Sequence, residues 1–224
     1  MNELQDDILQ LLKMLERNQA LEHLVLIGSW ATVFYQGYFR GGDYHPVIRT
    51  TDIDFLIPKT PPRDTKVDIG KIMVADGFLE DVRIDGWVTY HKPEFHVEFL
   101  LSRVGPRPDD AITIPQLGIT ARPLRHMWLL TQFVIQASYH GISLNLPHPG
   151  AYALHKLIIS TKRRDKEKQA KDREQASAVL LALSDEDREM TKNIFQKLSK
   201  NERKAVLESR EQIFLIKNFF DFTE

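Results

Sequence analysis

The chain has 224 residues, 42% hydrophobic and 27% charged, which is room for one medium domain or two small ones with a real core. A formal net charge of −1 argues against a protein that coats nucleic acid by charge alone, and the lack of cysteine excludes disulfides, thiolate metal sites and a cysteine nucleophile. Residues 1–7 are acidic and polar where a secretory leader is basic and then apolar, and no apolar run approaches a membrane span, so the expectation is a soluble, cytoplasmic protein with no membrane partner.

Leu4, Ile8, Leu11, Leu12 and Leu15 recur at helical spacing and predict an amphipathic helix over residues 3–17. An apolar strand over 23–27 follows and ends in Gly28-Ser29. A short helix is expected over 30–36 and a loop over 37–47, which contains Gly41-Gly42-Asp43. Thr50-Thr51-Asp52-Ile53-Asp54-Phe55-Leu56-Ile57 then reads as a second strand, stopped by Pro58, Pro61 and Pro62. Alternate side chains of a strand share a face, so Asp52 and Asp54 point the same way while Ile53 enters the core. Two like charges on a largely buried strand are costly unless something positive neutralises them, and the usual answer is a hard divalent cation held by carboxylate oxygens. A lone Asp-X-Asp is more often a solvated strand edge. Gly28-Ser29 upstream changes the balance, because a tight turn with free backbone N–H groups is where phosphates are held.

Residues 64–76 read as a helix ending at Gly77. Residues 87–91 and 95–100 flank Lys92-Pro93-Glu94 and read as a hairpin, whose second arm puts His96, Glu98 and Leu100 on one face. A glutamate between apolar neighbours needs a partner on an inner strand and faces solvent on an edge strand. The turn-rich segment 104–110 marks a boundary between residues 1–108 and 109–224. The second part is expected to be mainly helical, with short strand-like pieces at 112–114 and 117–121, a buried helix over 127–139, and helices from Ala151 to the end. Ser184, Asp185, Glu186 and Asp187 form a helix start. On one continuous helix Lys156, Ser160, Arg163, Glu167 and Lys171 would share a face, although a charge run such as 162–174 is usually a solvated surface. His91, His96 and His148 have no metal-ligand spacing.

A strand ending in Gly28-Ser29, a short helix and a strand carrying Asp52-Ile53-Asp54 together resemble the nucleotidyltransferase fold of the DNA polymerase β superfamily. The closest resemblance is to the bacterial minimal nucleotidyltransferases and the AbiEii-type toxin nucleotidyltransferases. Thr50, two residues before the first Asp, fits their pattern. Arg49 lies one position nearer the Asp than their usual arginine, and the segment between Gly-Ser and the acids is longer than in the simplest members. The resemblance implies a mixed α/β fold, with a mixed sheet and flanking helices followed by a mainly helical part. It implies transfer of a nucleoside monophosphate from an NTP to a hydroxyl, with Mg²⁺ or Mn²⁺ on Asp52, Asp54 and a third acid. Glu98 takes that third place, where the family often has Asp. Gly28, Ser29, Arg49 and Thr50 would then serve the nucleotide. Lys156, then Arg163 or Arg164, then Lys171-Asp172 follow the order of the toxin-like enzymes and put Lys156 and Lys171 on the triphosphate, with Asp172 orienting Lys171 or capping the next helix. The acceptor stays open among an RNA 3′ end, a protein side chain and a small antibiotic-like molecule. Two rival readings are a degenerate domain that binds nucleotide or a partner without chemistry, and a toxin paired with an antitoxin protein.

Overall fold

In the computed structural model, which describes residues 3–39, 44–46, 51–103, 105, 110–211 and 213, the N-terminal apolar stripe forms α1 (Glu3–Arg17) and buries Ile8, Leu11, Leu12 and Leu15. Arg49 and Thr50 lie outside the described residues. β1 (Val25–Ile27) runs into the Gly28-Ser29 turn and α2 (Ala31–Phe34), and the acid-bearing segment is β2 (Asp52–Ile57). α3 (Ile69–Ala75) is shorter than the predicted 64–76 helix. The Asp68 carboxylate accepts from Lys71 N at 3.1 Å and caps the helix there, leaving 64–68 outside it. β3 (Leu79–Val82), β4 (Val88–Lys92), β5 (Phe95–Ser102), β6 (Ile112–Ile114) and β7 (Ile119–Leu124) follow.

Among the described residues these strands form one seven-stranded mixed sheet. Its main path is β1-β2-β5-β4-β3; β7 joins β5, and β6 joins β7. β2–β5 and β5–β7 are parallel and the other pairs antiparallel. One edge of β5 is shared: β4 pairs with residues 95–97 and β7 with residues 100–102. The two faces differ sharply. Ile53, Phe55, Ile57, Val97 and Phe99 enter the large core with α1. Leu56 and Leu100, on the opposite face, join Ile27, Trp87, Met127 and Leu130 in a smaller core. Asp52, Asp54 and Glu98 share this second face, because they alternate with the large-core residues along β2 and β5.

The expected 127–139 helix is instead α4 (Trp128–Gln132) followed by β8 (Val134–Tyr139), which pairs with β9 (Ile142–Pro147) in a separate hairpin. Only His140 and Gly141 join the two strands, both at positive φ (48° and 83°), as the tight hairpin turns that match strand twist require. Ile142, Leu144 and Leu146 are buried on one face of β9. Among the described residues the part after residue 109 is mainly helical, with strands at β6 and β7 close to the expected strand-like pieces, and the unexpected addition is the β8–β9 hairpin. The long helices are α5 (Pro149–Ser160), α6 (Lys166–Ala182), α7 (Asp185–Lys197) and α8 (Lys200–Arg210). α5 is buried along nearly its whole length and packs against the other three. The continuous helix that would put Lys156 and Lys171 on one face is not formed: Asp165 accepts from Glu167 N and Lys168 N and starts α6 afresh. No helix among the described residues is long and apolar enough to cross a membrane.

Candidate active site

The site grows from one row across three strands. Ile27 stands opposite Asp54, and Asp54 opposite Glu98, with Asp52 opposite His96 at the start of the same pair. Immediately after Ile27 the chain turns at Gly28, whose φ is +69°. A Cβ there would collide with the Asp54 carboxylate oxygen and lie 3.0 Å from its Cγ. Gly28 therefore meets two demands, a left-handed backbone and a close approach, and both leave the turn open beside the carboxylate. Ser29 is buried; its carbonyl accepts from the Thr32 hydroxyl at 2.7 Å and from Thr32 N at 3.2 Å, fixing the turn into α2.

Gly28, Ser29, Asp52, Asp54, Glu98, Lys156, Lys171 and Asp172 all line one cavity of about 310 Å³ between the sheet and the α5–α6 pair. The break between the helices, rather than a shared helix face, is what brings Lys156 and Lys171 to it. Lys156 is buried, and its ammonium donates to Asp172 Oδ1 at 2.7 Å and lies 5.6 Å from the Tyr152 ring centre. Arg163 Nε donates to the other Asp172 oxygen at 3.0 Å. Asp172 thus ties Lys156 to Arg163, a role the sequence reading did not give it.

Electrostatics follow from this placement. Burial pushes the Asp54 carboxyl up to about 6, opposed by Lys156 and reinforced by Asp52. Burial also pushes Glu98 up to about 7, with Asp54 and Asp52 adding to it and Arg83 and Arg122 working against it. Lys171 is held below its ordinary value, first by burial and then by Lys156. His155 falls to about 3 through burial and the adjacent Lys156, so it stays neutral at the cavity wall. A carboxyl whose folded pKa is raised destabilises the fold once ionised. The stability is therefore present below the unfolded values near 4 and is lost as pH rises through about 6 and 7. His155 opposes the two carboxyls over the same window, because its unfolded imidazole takes up a proton below about 6.5 while the folded one stays neutral. The carboxyl contribution is therefore read by difference: the change in stability from pH 8 to pH 5 should be more favourable in the metal-free wild type than in Asp54→Asn. Urea unfolding of both proteins at the two pH values checks this, and equal changes would refute it.

Among the described residues no group of three or more carboxylate or imidazole side chains converges as a formed metal site does. The donor chemistry nonetheless fits a hard divalent ion. Asp52 and Asp54 offer oxygen ligands from one sheet face, and burial, the main cause of the raised Asp54 and Glu98 values, is a cost that a bound cation offsets.

Trp87, Arg122 and His155, which also line the cavity, carried no local sequence signal. Arg122 reaches the site from β7, whereas His155 is the chain neighbour of Lys156 on α5 and Trp87 immediately precedes β4.

A sequence profile of a nucleotidyltransferase family matches residues 6–199. An antigenic nucleotidyltransferase-like protein from Paracoccidioides brasiliensis has a similar fold over 97% of this chain and 91% of its own, with TM-score 0.57 and 13% identity. The antibiotic-resistance factor ANT(2'')-Ia aligns over 91% of this chain and 97% of its own, with TM-score 0.44 and 12% identity. No curated protein matches the chain.

Proposed function

The chain belongs to the nucleotidyltransferase family whose profile spans most of its length, and from that premise we propose that it moves a nucleoside monophosphate from an NTP to a hydroxyl acceptor. The observation that carries the reading is the row that sets Asp54 between the Gly28 turn and Glu98, with the buried Lys156 in the same cavity.

In this reading Asp52, Asp54 and Glu98 would hold Mg²⁺ or Mn²⁺, which would supply neutralisation of phosphate charge and a lowered pKa at the acceptor hydroxyl. Gly28, lacking a side chain, lets the triphosphate approach the turn, and Ser29 offers its hydroxyl and backbone there. Lys156 and Lys171 stabilise the charge that builds on the phosphates. Asp172 is a positioning residue: it fixes the Lys156 ammonium through the 2.7 Å bond. Glu98, opposite Asp54 across the β2–β5 pair, is placed to take the acceptor's proton. The acceptor oxygen bonds to the α-phosphorus, the bond from that phosphorus to the bridging oxygen breaks, and pyrophosphate leaves with the electron pair.

Transfer of label from an α-labelled NTP, dependent on Mg²⁺ or Mn²⁺, tests the reading directly. Metal and triphosphate together should also raise the melting temperature more than either alone, because bound phosphates complete the ion's shell. No labelled product and no such synergy would sink the proposal. Lys156→Ala should cut kcat/KM for the triphosphate by about 10- to 100-fold. Charge removal at Lys162 and Lys166, both exposed, should change it less than about twofold. Equal effects at the three positions would show that Lys156 supplies only general charge.

A further inference from the structure

The cations around the cavity fall into two groups. Lys156, Lys171 and Arg163 come from α5, α6 and the link between them, and all three favour the ionised form of Asp54. Arg122, on β7, and Arg83, in the β3–β4 connection and not part of the cavity lining, favour the ionised form of Glu98. The placement of Arg122 follows from strand register. Arg122 pairs with Leu100 in the parallel β5–β7 contact, and Leu100 shares a face with Glu98 two residues earlier. Arg122 therefore rises from the site face, on the side of β5 opposite Asp54.

Both guanidiniums lie against the indole of Trp87, at 5.0 Å for Arg122 and 5.4 Å for Arg83. Trp87 is itself 4% exposed and packed with Met127 and Leu130, so it is a fixed platform. Its Nε1 is buried with no hydrogen-bond partner among the described residues, although the ring lines the cavity. No carboxylate among the described residues ion-pairs with Arg83 or Arg122, in contrast to Lys156 and Arg163, which share Asp172. Arg122, with no ion-pair partner among the described residues, and the unpartnered Trp87 Nε1 both line the cavity and offer N–H donors that match a phosphate or carboxylate.

We propose that the Arg122–Trp87 side of the cavity is the acceptor subsite, and that it selects a hydroxyl compound carrying a phosphate or carboxylate close to that hydroxyl. The hydroxyl lies at Glu98 and the anionic group on the Arg122 guanidinium and the Trp87 indole N–H. A sugar phosphate and an RNA 3′ end share this chemistry. A polycationic acceptor is repelled. The word acceptor rests on the nucleotidyl-transfer reading, whereas the division into two anion subsites does not.

Binding to the full-length, metal-free protein tests it by calorimetry, with glycerol 3-phosphate, glycerol, a short RNA with a free 3′ hydroxyl, and a non-hydrolysable triphosphate as probes. Glycerol 3-phosphate or the RNA should bind saturably and lose at least about tenfold in affinity in Arg122→Ala, with less than about twofold change in Lys156→Ala. The triphosphate should show the reverse pattern. Arg122→Lys should recover part of the binding, and an unchanged melting temperature excludes misfolding as the cause. Binding of glycerol 3-phosphate alone assigns a small phosphorylated acceptor, and binding of the RNA alone assigns a nucleic-acid end. The proposal is overturned if neither probe depends on Arg122, if glycerol binds as well as its phosphate, or if both variants weaken all anions alike. Protein that shows the two-subsite pattern but transfers no nucleotide would retire the transfer reading while leaving the subsites in place.

Discussion

Asp54→Asn should remove nucleotidyl transfer, by about a thousandfold or more, and should raise the melting temperature of the metal-free protein at pH 8. The two effects have one source. Asp54 sits at the centre of the row, between the Gly28 turn and Glu98, and burial and Asp52 together push its carboxyl up to about 6 despite three nearby cations. At pH 8 it is ionised against that cost. Asparagine keeps the shape, drops the charge, and relieves Glu98 as well, since Asp54 is the largest charged contribution to the rise of Glu98. A gain of about 1–3 kcal/mol corresponds to several degrees for a chain of this size. At pH 5 the gain should shrink, because Asp54 is then largely protonated in the wild type. Asp52 is more exposed, so Asp52→Asn should match the loss of activity with a smaller thermal gain. Thermal scans at the two pH values, beside a labelled-transfer assay, check all three points. A variant at residue 54 that keeps more than a tenth of the activity, or that melts lower at pH 8, would contradict the assignment.

Asp172→Ala should be the most destabilising single change at the site, costing about 3–5 kcal/mol. The side chains of Lys156 and Asp172 are 8% and 4% exposed and joined at 2.7 Å, with Arg163 on the second carboxylate oxygen. Taking the carboxylate away leaves an ammonium in a poorly solvated place with its nearest counter-charge gone, and that stranded charge carries most of the cost. The double variant Asp172→Ala/Lys156→Met should recover at least about half the loss, because no buried charge is then left alone. Urea unfolding of the single and double variants measures both terms. A loss below about 1 kcal/mol in Asp172→Ala would mean that the pair is solvated and that Lys156 is held by other groups.

Local pattern was sufficient where one element decides its own chemistry. The stripe from Leu4 to Leu15 specified α1, and the alternation Asp52-Ile53-Asp54 specified a strand with both acids on one face, because side-chain period is a property of the backbone. Turn chemistry was legible in part. Gly28-Ser29 was visible as a tight turn, whereas His140-Gly141 was passed over, and with it the alternation of Ile142, Leu144 and Leu146 that marks β9. The apolar residues of 127–139 then looked like one helix, since a short helix followed by a strand gives no clean period of either kind.

By itself the sequence determined the mixed α/β character, the two acids on one strand face and the tight Gly28-Ser29 turn. Only the tertiary structure decided which distant groups share their cavity. The capped break at Asp165 folds Lys171 and Asp172 back onto Lys156, and the divided edge of β5 seats β7, and with it Arg122, beside Glu98. The physical reason is that pairing register and helix docking are set by burial summed over many residues far apart in the chain. A charge gains or loses its partner only once that packing is complete.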